Sequence, residues 1–97
     1  MEIEEFTQYV ISKAQEVGTS DIHILPEEKQ YHFYFRIGGK LCFWNAIPDE
    51  EGRRFISYFK YLSNMDVGER RKPQSGAAQL MVQGKKYSTS FFNYNQF

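Results

Sequence analysis

Apolar residues recur along the first seventeen positions at Ile3, Phe6, Val10, Ala14 and Val17. That is the three-and-four spacing of one helix face. Glu2, Glu4 and Glu5 sit where a helix dipole favours negative charge, and Gly18 is a natural stop. The period then changes to two. Ser20 to Leu25 puts Ile22 and Ile24 on one side and Asp21, His23 and Leu25 on the other, and Pro26 is expected to end this strand. Gln30 to Ile37 alternates again, with Tyr31, Phe33, Phe35 and Ile37 opposed to His32, Tyr34 and Arg36. Gly38-Gly39 suits a tight hairpin turn, after which Lys40 to Ile47 reads as the returning strand.

Pro48-Asp49-Glu50-Glu51 reads as a helix entry with Asp49 as N-cap. Phe55, Ile56, Phe59 and Leu62 form its apolar stripe, and the helix should end before Asp66. A loop from Gly68 to Gly76 leads into two more strands, Ala77 to Val82 and Lys85 to Phe92, around Gln83-Gly84. The expected fold is α+β: helices packed on an antiparallel sheet in the order α-β-β-β-α-β-β.

At 97 residues the chain fits one domain, and a domain of this size buries only roughly 60–65% of its unfolded surface. Nine Phe, seven Tyr and one Trp compensate, because each buried ring removes about 150–250 Å² from water. Twelve basic and twelve acidic residues cancel, so no general electrostatic attraction draws nucleic acid or an anionic membrane. No apolar run approaches the ~18–20 residues that span a bilayer, and no secretory leader pattern is visible. Cys42, the single cysteine, excludes an internal disulfide, suits a reducing compartment, and reads as a buried small hydrophobe.

Asp21 and His23 share one strand face and His32 follows on the next, but this is too few ligands for a metal centre. They read instead as a hydrogen-bonded pair. Ser and His residues are present without a motif that joins nucleophile to base, so no intrinsic active site is expected. The pairs Gly39-Lys40 and Gly84-Lys85 lack the upstream glycine and the following Ser/Thr of a phosphate-binding loop. The chain therefore cannot hydrolyse a nucleotide by that route. Tyr31-His32-Phe33-Tyr34-Phe35-Arg36 interleaves rings with a cation, as a nucleic-acid stacking sheet does; neutral charge and the helix-first order argue against that reading. Arg70, Arg71 and Lys72, beside Pro73 and Gly76, form a charged loop that is either simply solvated or anion-binding, since guanidinium forks match phosphate and carboxylate oxygens.

Three segments carry a family resemblance. Ser20-Asp21-Ile22-His23-Ile24-Leu25-Pro26 resembles the S-D-I-H-I-E-P signature of the secretion and type IV pilus assembly ATPases. Phe35-Arg36-Ile37-Gly38-Gly39-Lys40-Leu41 resembles their R-I-D-G-x-L, and Met65 to Gly76 resembles L-D-I-A-E-R-R-x-P-Q-D-G-R. The Glu-Arg-Arg-Lys-Pro-Gln run looks most like the competence-pilus members. The resemblance implies a PAS-like α+β domain that precedes a RecA-like motor, with the motor outside these residues. It further implies that the parent is a cytoplasmic ATPase, at the inner face of the membrane, that uses ATP and Mg. It would form a homo-hexamer and meet an inner-membrane platform protein; no direct nucleic-acid contact and no cofactor of this segment's own are implied.

Arg36, Arg70, Arg71 and Lys86 are then the candidates for contact with nucleotide held by the motor of the same or a neighbouring subunit. Asp21, His23, Gln74 and Gly76 are motif positions of structural character. The chain departs from the pattern at Leu25, Gly38, Ser75 and Ala77, where the family has Glu, Asp, Asp and Arg. Alignment on Ser88-Thr89 puts Lys86 at the family's last-strand arginine, whereas alignment on the hairpin puts Ser or Thr there. The alternative reading is a PAS-like sensory or protein-interaction module without a nucleotide link, and a third is a single-strand nucleic-acid binder.

Overall fold

The computed structural model describes residues 2–63, 76–82 and 84–91, and only the backbone of 76–79, 81, 90 and 91. In chain order the elements are α1 (Ile3–Val17), β1 (Asp21–Glu27), β2 (Gln30–Ile37), β3 (Lys40–Pro48), α2 (Asp49–Leu62), β4 (Gly76–Val82) and β5 (Lys85–Phe91). The α+β class and the element order match the sequence expectation. The strands form one five-stranded sheet in the order β3-β2-β1-β5-β4. It is mixed rather than wholly antiparallel, because β1 and β5 run parallel. Two hairpin blocks cannot share a sheet through β1 and β5 in this order without α2 and its connections carrying the chain across.

Helix α1 ends as its sequence requires. Gly18 turns left-handed at φ 80, and its N–H reaches the carbonyls of Ala14 and Gln15, which satisfies groups the last turn would otherwise leave open. The β2–β3 turn uses Gly38 and Gly39 at φ 59 and 82, both in the left-handed region that a two-residue hairpin demands. Pro26 does not end β1, which runs on to Glu27 with Pro26 opposite Tyr31. The described pairing of β1 with β5 extends only to Ile24, so the missing proline N–H interrupts no described ladder bond. Asp49 is the first residue of α2 and not its cap; Pro48 holds that position, without a side-chain cap bond. The Asp49 carboxylate instead receives Arg53 at 2.6 Å, one turn on.

Both helices cover one sheet face. Ile22, Ile24, Tyr31, Phe33, Phe35, Ile47 and Tyr87 from the strands meet Phe6, Val10, Ile11 and Ala14 of α1 and Phe55, Ile56 and Phe59 of α2. At the centre three rings from three elements meet edge to face. Phe6, Phe33 and Phe55 lie 5.1 to 5.7 Å apart between centroids, the separation at which edge and face quadrupoles attract. A bulge in β3 adds a fourth. Phe33 pairs with Asn45 but Tyr34 with Phe43, so Trp44 is an extra residue whose indole turns inward against Phe6, Phe33 and Phe35. The early half of β3 lies beyond helix cover, and Cys42 is exposed there, contrary to its expected burial.

Helix α2 approaches the sheet at Gly52. A Cβ at this buried position would run into Cδ2, Cγ and Cβ of Tyr31. The start of the helix is tied to the same place by the Asp49 N–H, which donates to the Lys29 carbonyl at 2.9 Å. Alanine in a helix is favoured over glycine by about 1 kcal/mol, but overpacking costs about 1–3 kcal/mol. Because the clash includes the Tyr31 Cβ and not only the movable end of its ring, the upper end of that cost applies. Gly52→Ala is therefore expected to destabilise the chain by about 2 kcal/mol net, read as a lower urea midpoint. An unchanged or raised midpoint would show that α2 can stand off from Tyr31 freely.

Candidate functional site

The sheet face opposite the helices carries the polar positions of the alternating strands. Ile22 pairs with Phe35 and His23 with Tyr34, so one step further Asp21 stands across from Arg36. On the other side of β1, Asp21 is in register with Ser88. Tyr87 and Thr89 are buried in the core, which by strand alternation turns Lys86 and Ser88 to the open side. Arg36, Asp21, His23, Ser88 and Lys86 thus come from three adjacent strands to one end of one face.

Thr19 holds this end together. Its buried hydroxyl donates to the Arg36 carbonyl at 2.6 Å and accepts from the Asp21 N–H at 3.1 Å. The Ser88 N–H donates to the Ser20 carbonyl at 2.7 Å. One hydroxyl and one amide therefore lock the entry of β1 to β2 and β5. The Arg36 guanidinium, itself exposed, donates to the Gly39 carbonyl at 3.2 Å, which pins it against its own hairpin turn and keeps its remaining donors outward. His23 is half-buried. Burial first, and the Arg36 charge second, hold its pKa below the ordinary 6.5, with Asp21 opposing them. The imidazole is accordingly neutral at pH 7 and adds no positive charge to Arg36.

Further along the same face lies an aromatic patch. Phe43 is 57% exposed and Leu41 43%. The Phe43 ring stands 5.3 Å from His32 and 5.7 Å from Tyr34. The Tyr34 hydroxyl donates to Glu27 at 3.3 Å, and burial with that carboxylate raises the phenol's pKa above 10.0, so it stays protonated. His32 reaches the same carboxylate at 3.9 Å. The open face thus carries cationic groups at one end and, beside them on β2 and β3, an aromatic patch whose Leu41 is in register with Arg36.

Of the motif residues read from sequence, Asp21, His23, Arg36 and Lys86 are gathered here. Gly76 opens β4, whose register runs opposite Phe91 on β5. Arg70, Arg71 and Gln74 lie outside the described residues. Sequence reasoning missed Thr19, although it directly precedes the Ser-Asp-Ile-His run. It also missed the patch at Leu41 and Phe43, because four successive apolar residues on β3 gave no sign of which side the bulge would turn.

A family model described as "Type II/IV secretion system protein" matches residues 1–91. The chain belongs to that family. It is 42% identical over 80 residues to the competence protein ComGA of Bacillus subtilis, which covers 82% of this chain and 22% of that protein. It is 38% identical over 77 residues to the type II secretion system protein E of Xanthomonas campestris pv. campestris, covering 79% and 14%. To the type IV pilus assembly ATPase PilB of Pseudomonas aeruginosa it is 33% identical over 81 residues, covering 84% and 14%. The chain therefore spans about a fifth or less of the length of these relatives. Among the described residues no helix is long and apolar enough to cross a membrane.

Two outcomes are expected at this site. Thr19→Val keeps the shape but leaves the Arg36 carbonyl and Asp21 N–H without their partner, and should cost about 1–3 kcal/mol of stability in denaturant titration; no loss would mean that water replaces the hydroxyl. His23 is held neutral by the fold, so the unfolded chain binds more protons as pH falls below 6.5. Stability contributed by His23 is present above that pH and is lost as pH drops toward the lowered folded value. A His23→Gln variant should show a flatter dependence of unfolding midpoint on pH between 7 and 5.5; parallel curves would refute the assignment.

Proposed function

We propose that the chain is the non-catalytic N-terminal domain of a hexameric assembly ATPase of the secretion and competence-pilus kind. Its work is to couple the nucleotide state of a RecA-like motor to movement of the ring. The observation that carries this reading is the open sheet face of a family member, with Arg36 and Lys86 exposed at one end and an uncovered aromatic patch beside them.

The chemistry supports it in parts. Phosphoryl transfer needs positive charge placed where negative charge develops, and guanidinium groups supply it without a proton. Arg36 is anchored through Gly39 at 3.2 Å and unopposed by a charged imidazole. It fits a phosphate edge presented by the motor of the same or a neighbouring subunit. Lys86 would add a point charge, with Arg70 and Arg71 as further candidates. Phe43, Leu41 and Tyr34 would supply the apolar contact that fixes the domain on that motor. In the parent protein the motor would bind ATP with Mg. The ring would work in the cytoplasm against an inner-membrane platform protein, in assembly of a DNA-uptake pilus. A PAS-like label for the fold belongs to the same reading.

The test uses a full-length parent that carries the motor. Arg36→Ala should lower ATPase kcat on the order of a hundredfold with the KM for ATP little changed, and Arg36→Lys should recover part of the loss. Phe43→Asp should reduce the hexamer fraction in analytical ultracentrifugation. Unchanged turnover in Arg36→Ala and Lys86→Ala alike would sink the nucleotide role. An intact ring in Phe43→Asp would sink the docking role separately.

A further inference from the structure

The helix layer has a surface of its own on the side away from the sheet. Phe55, Ile56 and Phe59 turn α2 inward, which leaves Arg53, Arg54, Ser57 and Tyr61 exposed. Between α2 and the start of α1, Ile3, Arg53, Arg54, Ser57 and Tyr58 line a groove of about 420 Å³. Its floor is apolar, made by Ile3 and the Tyr58 ring. The Tyr61 ring, 72% exposed, stacks on Tyr58 at 6.5 Å with 25° between planes and extends that floor by a turn of helix.

The rim is selective in charge. Arg53 is already held by Asp49 at 2.6 Å, whereas Arg54 has no ion-pair partner among the described residues. Residues 54, 57, 58 and 61 fall at three- and four-residue spacing, so guanidinium, hydroxyl and two rings share one stripe. Tyr and Arg are the residue types that dominate binding energy at protein interfaces. Tyrosine brings large rigid area, and a guanidinium takes a carboxylate bidentately.

From this we infer that the α2 groove is a second docking site. Its occupant is a segment of a partner protein that carries a carboxylate beside a large aliphatic side chain. The carboxylate takes Arg54, with Ser57 in reach as a further donor, and the aliphatic group settles on Ile3, Tyr58 and Tyr61. An anionic lipid surface is disfavoured. Glu4 and Glu5 open α1 and Asp49, Glu50 and Glu51 open α2, so the surroundings repel an extended negative plane while the single guanidinium still accepts one acid. Because this groove and the open sheet face lie on opposite sides, both can be occupied at once. The domain then joins two bodies instead of capping one.

The test uses the 97-residue chain and a fluorescein-labelled peptide with one acid, Gly-Ser-Leu-Glu-Leu-Ser-Gly, with Gly-Ser-Leu-Lys-Leu-Ser-Gly as its charge-reversed counterpart. The acidic peptide should bind in fluorescence anisotropy, with amide NMR shifts confined to α2 and the start of α1. The lysine peptide and vesicles of equal parts phosphatidylserine and phosphatidylcholine should not bind. Arg54→Glu should weaken the acidic peptide about tenfold, the loss of one charge-assisted pair, and Tyr61→Ala by a similar factor; circular dichroism of each variant checks that the fold is kept. Phe43→Asp should leave this binding unchanged, which separates it from the sheet face. Equal binding of both peptides, affinity indifferent to Arg54, shifts centred on the sheet, or capture by the vesicles would each overturn the proposal.

Discussion

The parallel pairing of β1 with β5 is the constraint from which the rest of the structure follows. A parallel pair gains slightly less per residue than an antiparallel one and needs a long crossover. Here it is the seam between a three-stranded meander and a two-stranded hairpin. It makes β1 the central strand, with Ile22 and Ile24 wholly buried. It also sets Asp21 opposite Ser88, which brings the polar side of β5 alongside that of β2. Without the seam, Arg36 and Lys86 would belong to separate hairpins. The Thr19 hydroxyl and the Ser88 amide fasten the seam where it begins, so the most recognisable motif of the sequence is also the place where the two halves are joined.

Packing on the covered face follows from that seam. The sheet presents Phe33 and Phe35 where α1 and α2 can both reach them, and the Phe6–Phe33–Phe55 cluster locks the two helices to the sheet and to one another. Gly52 permits the close approach of α2 over Tyr31. The helix layer is thereby fixed relative to the open face. Rings packed among Val10, Ile11, Ile22, Ile24, Ile47 and Ile56 let so short a chain assemble a core.

Much of this was legible in the chain. Alternation along Asp21–Leu25 and Tyr31–Phe35 assigned side chains to faces correctly, because each strand buries one side only; Ile37, grouped with the buried rings, lies past the helix cover and is exposed. Gly18 and Gly38-Gly39 announced their turns because only glycine takes those backbone angles at little cost. The misreadings have local causes. Pro26 looked like a terminator, but a proline harms a strand only where a ladder donor is needed. Asp49 has the chemistry of a cap, but Arg53 one turn later competes for its carboxylate. The direction of β5 relative to β1 was not readable, since alternation is blind to strand polarity. Motif and period together singled out Asp21, His23 and Arg36, which the fold brings to one face. Lys86 depended on two conflicting alignments, the other of which offers Ser or Thr; register puts Lys86 and Ser88 on the open face and Thr89 in the core.

The bulge at Trp44 bears on more than the core. Among the described residues strand β3 is an edge of the sheet, and its early half displays Leu41 and Phe43 to solvent, the sort of border along which like molecules stack without limit. The extra residue breaks the spacing of amides and carbonyls midway along that border. An incoming strand can stay in phase with one half or the other, never with both. Among the described residues the bulge thus divides the exposed border of β3 into two short stretches, neither long enough to template an extended ladder.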